Sequence, residues 1–319
     1  MRRKGATLVV LAGVLCAGQP DPAMLRRLFE EGLARRRQQY GASDARTARA
    51  ASDLGLFLRG QGDAAAARPA LAEALAIDQK VLGPSAPRTL EDAADLASVS
   101  SPREAEPLWT RAAESSDAAA AARALAALGE LREAAGDRAG AAAFYRRALA
   151  REEAATGKQS AGVAVRLNAL ALVAEPREGI PLLERALAVD RRVWGERHPE
   201  TATVEANLSG LLLAAGRTAE AILTGRAALA GFEATLGLDH PRTAAAASNL
   251  GDALRAGGDL KGAEQCYRRA LAIDEQAYGP DHPETLSDVR NLAGFLRETG
   301  RAEEAQALER RLPVTAAPR

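Results

Sequence analysis

Residues 249–272 read NLGDALRAGGDLKGAEQCYRRALA, and residues 127–150 read ALGELREAAGDRAGAAAFYRRALA. The two align without a gap. Just upstream, RTAAAASNLGDALRAGGD (242–259) aligns equally well with RTARAASDLGLFLRGQGD (46–63). Within this unit Ala244, Ala247, Leu250, Gly251 and Leu254 fall at helical spacing, predicting a helix A over residues 241–256. Gly257-Gly258-Asp259 then breaks it, as tandem glycine favours a C-cap or a turn. Ala263, Tyr267, Ala270 and Leu271 form the apolar stripe of a second helix, B. Small residues at Gly251, Ala263 and Ala270 let helix axes approach closely, and Leu250, Leu254 and Tyr267 fill the space between.

The unit recurs. GERHPET (195–201), GLDHPRT (237–243) and GPDHPET (279–285) carry all three histidines of the chain, His198, His240 and His282, at steps of 42. Asn207-Leu208, Asn249-Leu250 and Asn291-Leu292 keep the same step. The turn is recognisable earlier as YGASDART (40–47) and LGPSAPRT (82–89), without the histidine. SVSSPREAEPLWTRAA (98–113) and LVAEPREGIPLLERAL (172–187) each lose three or four residues between their helices. Self-similarity at such a period is the mark of a repeat array.

The pattern Ala247-x2-Leu250-Gly251-x2-Leu254 followed by Ala263-x3-Tyr267-x2-Ala270 resembles the tetratricopeptide repeat, whose ordinary period is 34. The stretched helix B (YRRALAIDEQAYG) and the turn GPDHPET are similar to the kinesin-light-chain variety. The resemblance covers about residues 22–312. It implies an all-α fold, a right-handed superhelical α-solenoid of about seven antiparallel helix pairs, with residues 19–319 as one array and 313–319 as a short tail. The tryptophan that often opens helix A is replaced by small residues such as Ala247.

Composition fits that fold and excludes others. Of the residues, 47% are apolar but only 3% aromatic, which suits thin, close-packed helices rather than a sheet of β-branched residues. The 42 basic and 42 acidic residues cancel, so phosphate neutralisation offers no basis for nucleic-acid binding. Two cysteines, Cys16 and Cys266, make no disulfide framework and no metal knuckle. At the N-terminus, MRRKG followed by ATLVVLAGVLC and the small residues Cys16-Ala17-Gly18 has the layout of a secretory signal over residues 1–18. The expectation is export, to periplasm, cell envelope or medium, with the protein cytoplasmic if that reading fails. The apolar run is shorter than a membrane span, and nothing later is long enough for one.

The histidines invite a metal or catalytic reading, which geometry opposes. Pro199, Pro241 and Pro283 open helix A, where a missing N–H costs least, so each preceding histidine lies at the cap. Successive repeats are two helix-packing steps apart, each about 8–10 Å, too far for one zinc with bonds of about 2.0–2.1 Å. With the histidines committed to turns, no base remains for a nucleophilic triad. No GxSxG, phosphate loop, HExxH or calcium loop occurs. No enzyme activity, cofactor or metal is expected.

The resemblance implies that helix A lines a concave groove. Asn168, Asn207, Asn249 and Asn291 are placed at one equivalent site on it, and in related repeats an asparagine there bonds the backbone of an extended peptide. An amide suits this, offering a donor and an acceptor together. The alternative is that it bridges or caps neighbouring helices. Arg255, Arg290 and Arg297 stand on the same helices, with Arg59 equivalent in the first repeat; they either pair ligand carboxylates or form solvated surface. Asp53 and Ala127 occupy the asparagine position in the N-terminal half, which concentrates the groove over residues 160–300. The function expected is a non-catalytic scaffold binding a peptide segment of another protein. The alternative is a structural protein that self-associates or docks through its convex face or ends, for instance through the leucines of AEEAQALERRL (302–312).

Overall fold

A computed structural model describes residues 21–312; the reading of residues 1–18 as a leader and of 313–319 as a tail lies outside the described residues. Among these, fifteen helices and no strands occur: α1 (Pro22–Tyr40), α2 (Ala45–Gly60), α3 (Ala64–Val81), α4 (Pro87–Ala97), α5 (Pro102–Ala112), α6 (Ala118–Ala134), α7 (Arg138–Thr156), α8 (Ala161–Val173), α9 (Pro176–Trp194), α10 (Pro199–Ala214), α11 (Thr218–Leu236), α12 (Pro241–Ala256), α13 (Leu260–Tyr278), α14 (Pro283–Glu298) and α15 (Ala302–Glu309). They alternate as helices B and A, beginning with a helix B. The chain divides into two compact units, one ending at Ala135 and one starting at Gly136. In each, a helix packs chiefly on its neighbours in sequence, the nearest-neighbour construction of a helical solenoid.

Local chemistry sets the boundaries. The A-to-B break falls where Gly257-Gly258-Asp259 predicts it. Gly258 has φ 82°, Asp259 donates its N–H back to the Leu254 carbonyl, and its carboxylate caps α13 by accepting from the Gly262 N–H at 2.9 Å; these are the closing bonds of one helix and the opening bond of the next. The shortened repeats lose their residues from the end of helix A: α4 has 11 and α8 has 13, where α10, α12 and α14 have 16. The C-terminal helix also stops early, at Glu309 rather than 312.

The B-to-A turn is held by a residue the sequence pattern only hints at. Thr47, Thr89, Thr201, Thr243 and Thr285 are fully buried. Their hydroxyls donate to the carbonyls of Gly41, Gly83, Gly195, Gly237 and Gly279, each at 2.8 Å. Those glycines have φ between 87° and 98°, a region costly for any residue with a Cβ. Each turn is thus a glycine that alone can make the bend and a threonine six residues on that locks it.

Packing follows the expected stripe. Leu250, Leu254, Tyr267, Leu271, Leu292, Phe295 and Leu296 form one core of the second unit, and Leu167, Ile180, Leu183, Leu208 and Leu212 another. Each such buried side chain contributes about 1.5–3 kcal/mol. A Cβ on Gly251 would stand 2.9 Å from the Tyr267 ring, so the glycine is what admits the aromatic. Successive B helices are laced by Arg37–Glu73, Arg146–Glu178, Arg185–Glu153 and Arg269–Glu233 pairs at 2.5–2.7 Å. These are surface pairs worth about 0–1 kcal/mol each. They mark register more than they add stability. Leu308 and Leu312 pack, partly buried, against the last core.

Candidate functional site

The histidines are caps. Nδ1 of His198, His240 and His282 accepts the N–H of Glu200, Arg242 and Glu284 at 3.2, 3.0 and 3.3 Å, the bond an N-cap side chain makes. His198 and His282 also stack on Trp194 and Tyr278, four residues earlier, at 4.8 and 4.4 Å between centroids. Each ring is occupied within its own turn.

The four asparagines lie on the A helices of the second unit, but they are not equivalent. Counted from the turn glycine of their own repeat, Asn207, Asn249 and Asn291 stand twelve residues on, and Asn168 stands eleven. Asn168 thus stands one position earlier on its helix, in register with Ala206 and Ser248, and Ala169 takes the place of the other asparagines. Asn207 Nδ2 donates to Asn168 Oδ1 at 2.8 Å, and Asn291 Nδ2 donates to Ser248 Oγ at 3.1 Å. In both bonds the twelfth residue of one repeat reaches the eleventh of the repeat before. For Asn249 that eleventh residue is Ala206, which has no acceptor. Asn249 is accordingly exposed and unbonded among the described residues, while the other three are half-buried. Two of the four amides therefore spend their donors between helices, as the bridging alternative anticipated, and one keeps both its donor and its acceptor.

The arginines divide likewise. Arg255 lies 3.4 Å from Glu298 and 3.7 Å from Asp252. Arg297 donates to Glu309 Oε2 at 2.6 Å, and Arg59 in the first unit donates to Asp95 at 2.9 Å and Ser98 at 3.0 Å. Arg290 is exposed and makes no such pair among the described residues. Of the three arginines expected on this face, it is the one whose charge is unspent.

Behind the asparagine bridge lies a buried polar cluster that the sequence did not announce. Ser248 of α12, which accepts from Asn291, also bonds Asp288 of α14, and Asp288 faces Asp274 of α13. Both carboxyls are buried, with Oδ2 of Asp288 and Oδ1 of Asp274 lacking hydrogen-bond partners. Burial, and then the Asp274 charge, push the Asp288 carboxyl up to about 7; burial, then Glu284, raise Asp274. An unpaired carboxylate in low dielectric is strongly disfavoured, so the pair holds a proton near neutrality.

The first unit repeats the arrangement with Ser52, Asp78 and Asp92, where burial followed by Asp78 raises Asp92 to about 7. There Arg88 Nε stands 2.6 Å from Asp78 Oδ2, close enough for attraction though outside hydrogen-bond geometry; Glu284 occupies the position of Arg88 in the second unit. The available signal was the pair of ungapped matches, RTARAASDLG with RTAAAASNLG and LAIDQ with LAIDE. They keep Ser52 with Ser248 and Asp78 with Asp274.

A model of the tetratricopeptide repeat family matches residues 4–80, 167–234, 224–276 and 242–312, more than half of the chain. No curated protein is detectably similar. Among solved structures, the kinesin light chain TPR-like repeats of Podosopora anserina share 22% identity over 59% of this chain and 92% of theirs, with a TM-score of 0.52. BtubC (BKLC) of P. vanneervenii shares 22% over 72% and 93%, with a TM-score of 0.53. A Rap protein complexed with Competence and Sporulation Factor shares 15% over 84% and 76%, with a TM-score of 0.55. Identities this low establish the fold alone. No helix among the described residues is long and apolar enough to cross a membrane. Motif, helix pairs and family match agree: the chain belongs to the tetratricopeptide repeat family and is built in the manner of its kinesin-light-chain-like members.

Proposed function

We propose that the chain is a non-catalytic interaction scaffold that holds an extended peptide segment of another protein against the A helices of residues 160–300. The observation that carries this reading is Asn249. Its flanking amides are fixed by Asn168 and Ser248, whereas its own donor and acceptor face solvent, the pair of groups an extended backbone requires. Arg290 adds one free cation for a carboxylate of the segment. Arg255 and Arg297 are spent on internal acids and take no part. The Rap neighbour, solved with a bound factor, supports the reading only as an analogy of fold.

The test is to pan a displayed library of random peptides against the full chain, then measure the selected peptides by fluorescence anisotropy. Asn249→Ala is expected to weaken them about tenfold, the value of one backbone-directed amide of about 1.4 kcal/mol, with an unchanged thermal melt. Equal binding by Asn249→Ala and the native chain would refute the site.

A second reading, self-association or docking through the B helices, is favoured by one feature. Leu223 of α11 and Leu260 of α13 are 68% and 47% exposed. They stand 37 residues apart, the offset at which Arg301 reaches Glu264 between successive B helices. If Leu223→Glu abolishes association and Asn249→Ala leaves it intact, that reading replaces the first.

A further inference from the structure

Two clefts in the second unit share one frame. In the first, Arg185, Ala188, Val189 and Arg192 of α9 form one wall, and Lys158 and Gln159, from the turn between α7 and α8, face it across about 390 Å³. In the second, Arg269, Ala272, Ile273 and Gln276 of α13 face Leu238 and Asp239, from the turn between α11 and α12, across about 430 Å³. The helix residues correspond at two 42-residue steps, and each turn pair directly follows its own left-handed glycine, Gly157 or Gly237. Spacing explains the hollow. Residues i, i+3, i+4 and i+7 share one helix face. Ala188 and Val189 are short, and the two arginines that flank them start about 10.5 Å apart along the axis.

The frame is alike in both clefts, but the rim is not. Arg185 donates to Glu153 Oε1 at 2.5 Å and to the Lys158 carbonyl at 3.4 Å. Arg269 likewise donates to Glu233 Oε1 at 2.5 Å and to the Leu238 carbonyl at 3.5 Å. That pair is neutral in each cleft. Around it, Lys158 and Arg192 stand where the second cleft has Leu238 and Gln276, and Gln159 stands where it has Asp239. Arg192 donates from Nη2 to the Gln159 carbonyl at 2.6 Å, which fixes the guanidinium and leaves its charge unopposed. Neither Lys158 nor Arg192 forms an ion pair among the described residues. Two nearby acids are already spent, Glu153 on Arg185 and Glu205 on Arg191. Three changes in one frame thus replace a single acid by two unspent cations.

We propose that the cleft of Lys158 and Arg192 binds a small phosphate monoester, at a site that uses no residue of the asparagine face. Two unopposed cations match a dianion. A phosphate monoester carries about −1.5 to −2 at neutral pH, whereas one carboxylate would leave a cation over. Arg192 keeps the hydrogens of Nε and Nη1 for phosphate oxygens, and Lys158 adds a point charge from the opposite wall. The floor between them is apolar, made of the Ala188 methyl and of Val189, which is 5% exposed. It suits the carbon part of the ester. The volume falls within the range of about 300–1,000 Å³ that small-molecule sites occupy.

The second cleft supplies the controls. Phenyl phosphate is titrated into the full chain by calorimetry at low salt. One saturable site per chain is expected, holding phenyl phosphate more tightly than inorganic phosphate or benzoate. Arg192→Gln and Lys158→Leu, which copy the second cleft, are each expected to weaken it at least about tenfold with an unchanged thermal melt. The reverse graft, Leu238→Lys with Asp239→Gln and Gln276→Arg, is expected to add a second site, a gain that misfolding would not produce. No saturable binding overturns the proposal, and so does binding that survives Arg192→Gln and Lys158→Leu together. Benzoate or inorganic phosphate held as tightly as phenyl phosphate, or a graft that gains no site, overturns it as well.

Discussion

Replacing Asp288 by asparagine should reverse its effect on stability between acid and alkaline solution. The carboxyl is 7% exposed, has one oxygen without a partner, and is pushed up to about 7 by burial and by Asp274; in the unfolded chain an aspartate titrates near 3.9. The folded state therefore binds more protons than the unfolded state between these values. Stability is complete below about pH 4 and falls as pH rises towards 7, by about 1.4 kcal/mol per unit. Above pH 7 the accumulated cost is on the order of 4 kcal/mol.

The amide introduced by Asp288→Asn never ionises, but it needs partners the site was not built to give, costing about 1–2 kcal/mol at every pH. The variant is thus less stable than the native chain at pH 3.5 and more stable at pH 8.5, there by about 2 kcal/mol, with the curves crossing between about pH 4.5 and 5.5. Urea unfolding followed by circular dichroism at the two pH values, with hydrogen exchange of α14 amides compared at equal pH, measures this. A native chain that gains stability from pH 5 to 8, or a variant weakened equally at both, would show that the carboxyl is not held protonated.

The turn lock and the close contact give sharper, local outcomes. Thr243→Val keeps the buried volume but leaves the Gly237 carbonyl without its 2.8 Å donor, and should lower stability by about 1–3 kcal/mol; a loss below a few tenths in urea unfolding would show that water or the backbone replaces the hydroxyl. Gly251→Ala should cost about 1–3 kcal/mol by overpacking against Tyr267. Gly210→Ala, with nothing within 4 Å of the added methyl, should be neutral or stabilising by about 0.5–1 kcal/mol. Equal thermal shifts for the two alanines would refute the packing role given to Gly251.

Much of the fold is legible in the sequence because it is decided within one repeat. Helix α12 begins at Pro241 and ends at Ala256, as spacing and the glycine pair require. The histidines cap where proline placement puts them. These features depend on residues two to six positions apart, so a local pattern suffices. Most contacts of the candidate site join residues 36 to 43 positions apart, brought together only when repeats stack. Asn168 stands one position earlier on its helix, where it meets the asparagine of the next repeat, and Ala206 in place of an acceptor frees Asn249. Arg255 and Arg297 looked as available as Arg290 until the next helix supplied Glu298 and Glu309. The buried acids are the plainest case. Asp274 and Asp288 read as ordinary helical charges in sequence, and only tertiary packing removes their water and sets two carboxyls against each other, where desolvation and like charge decide their protonation.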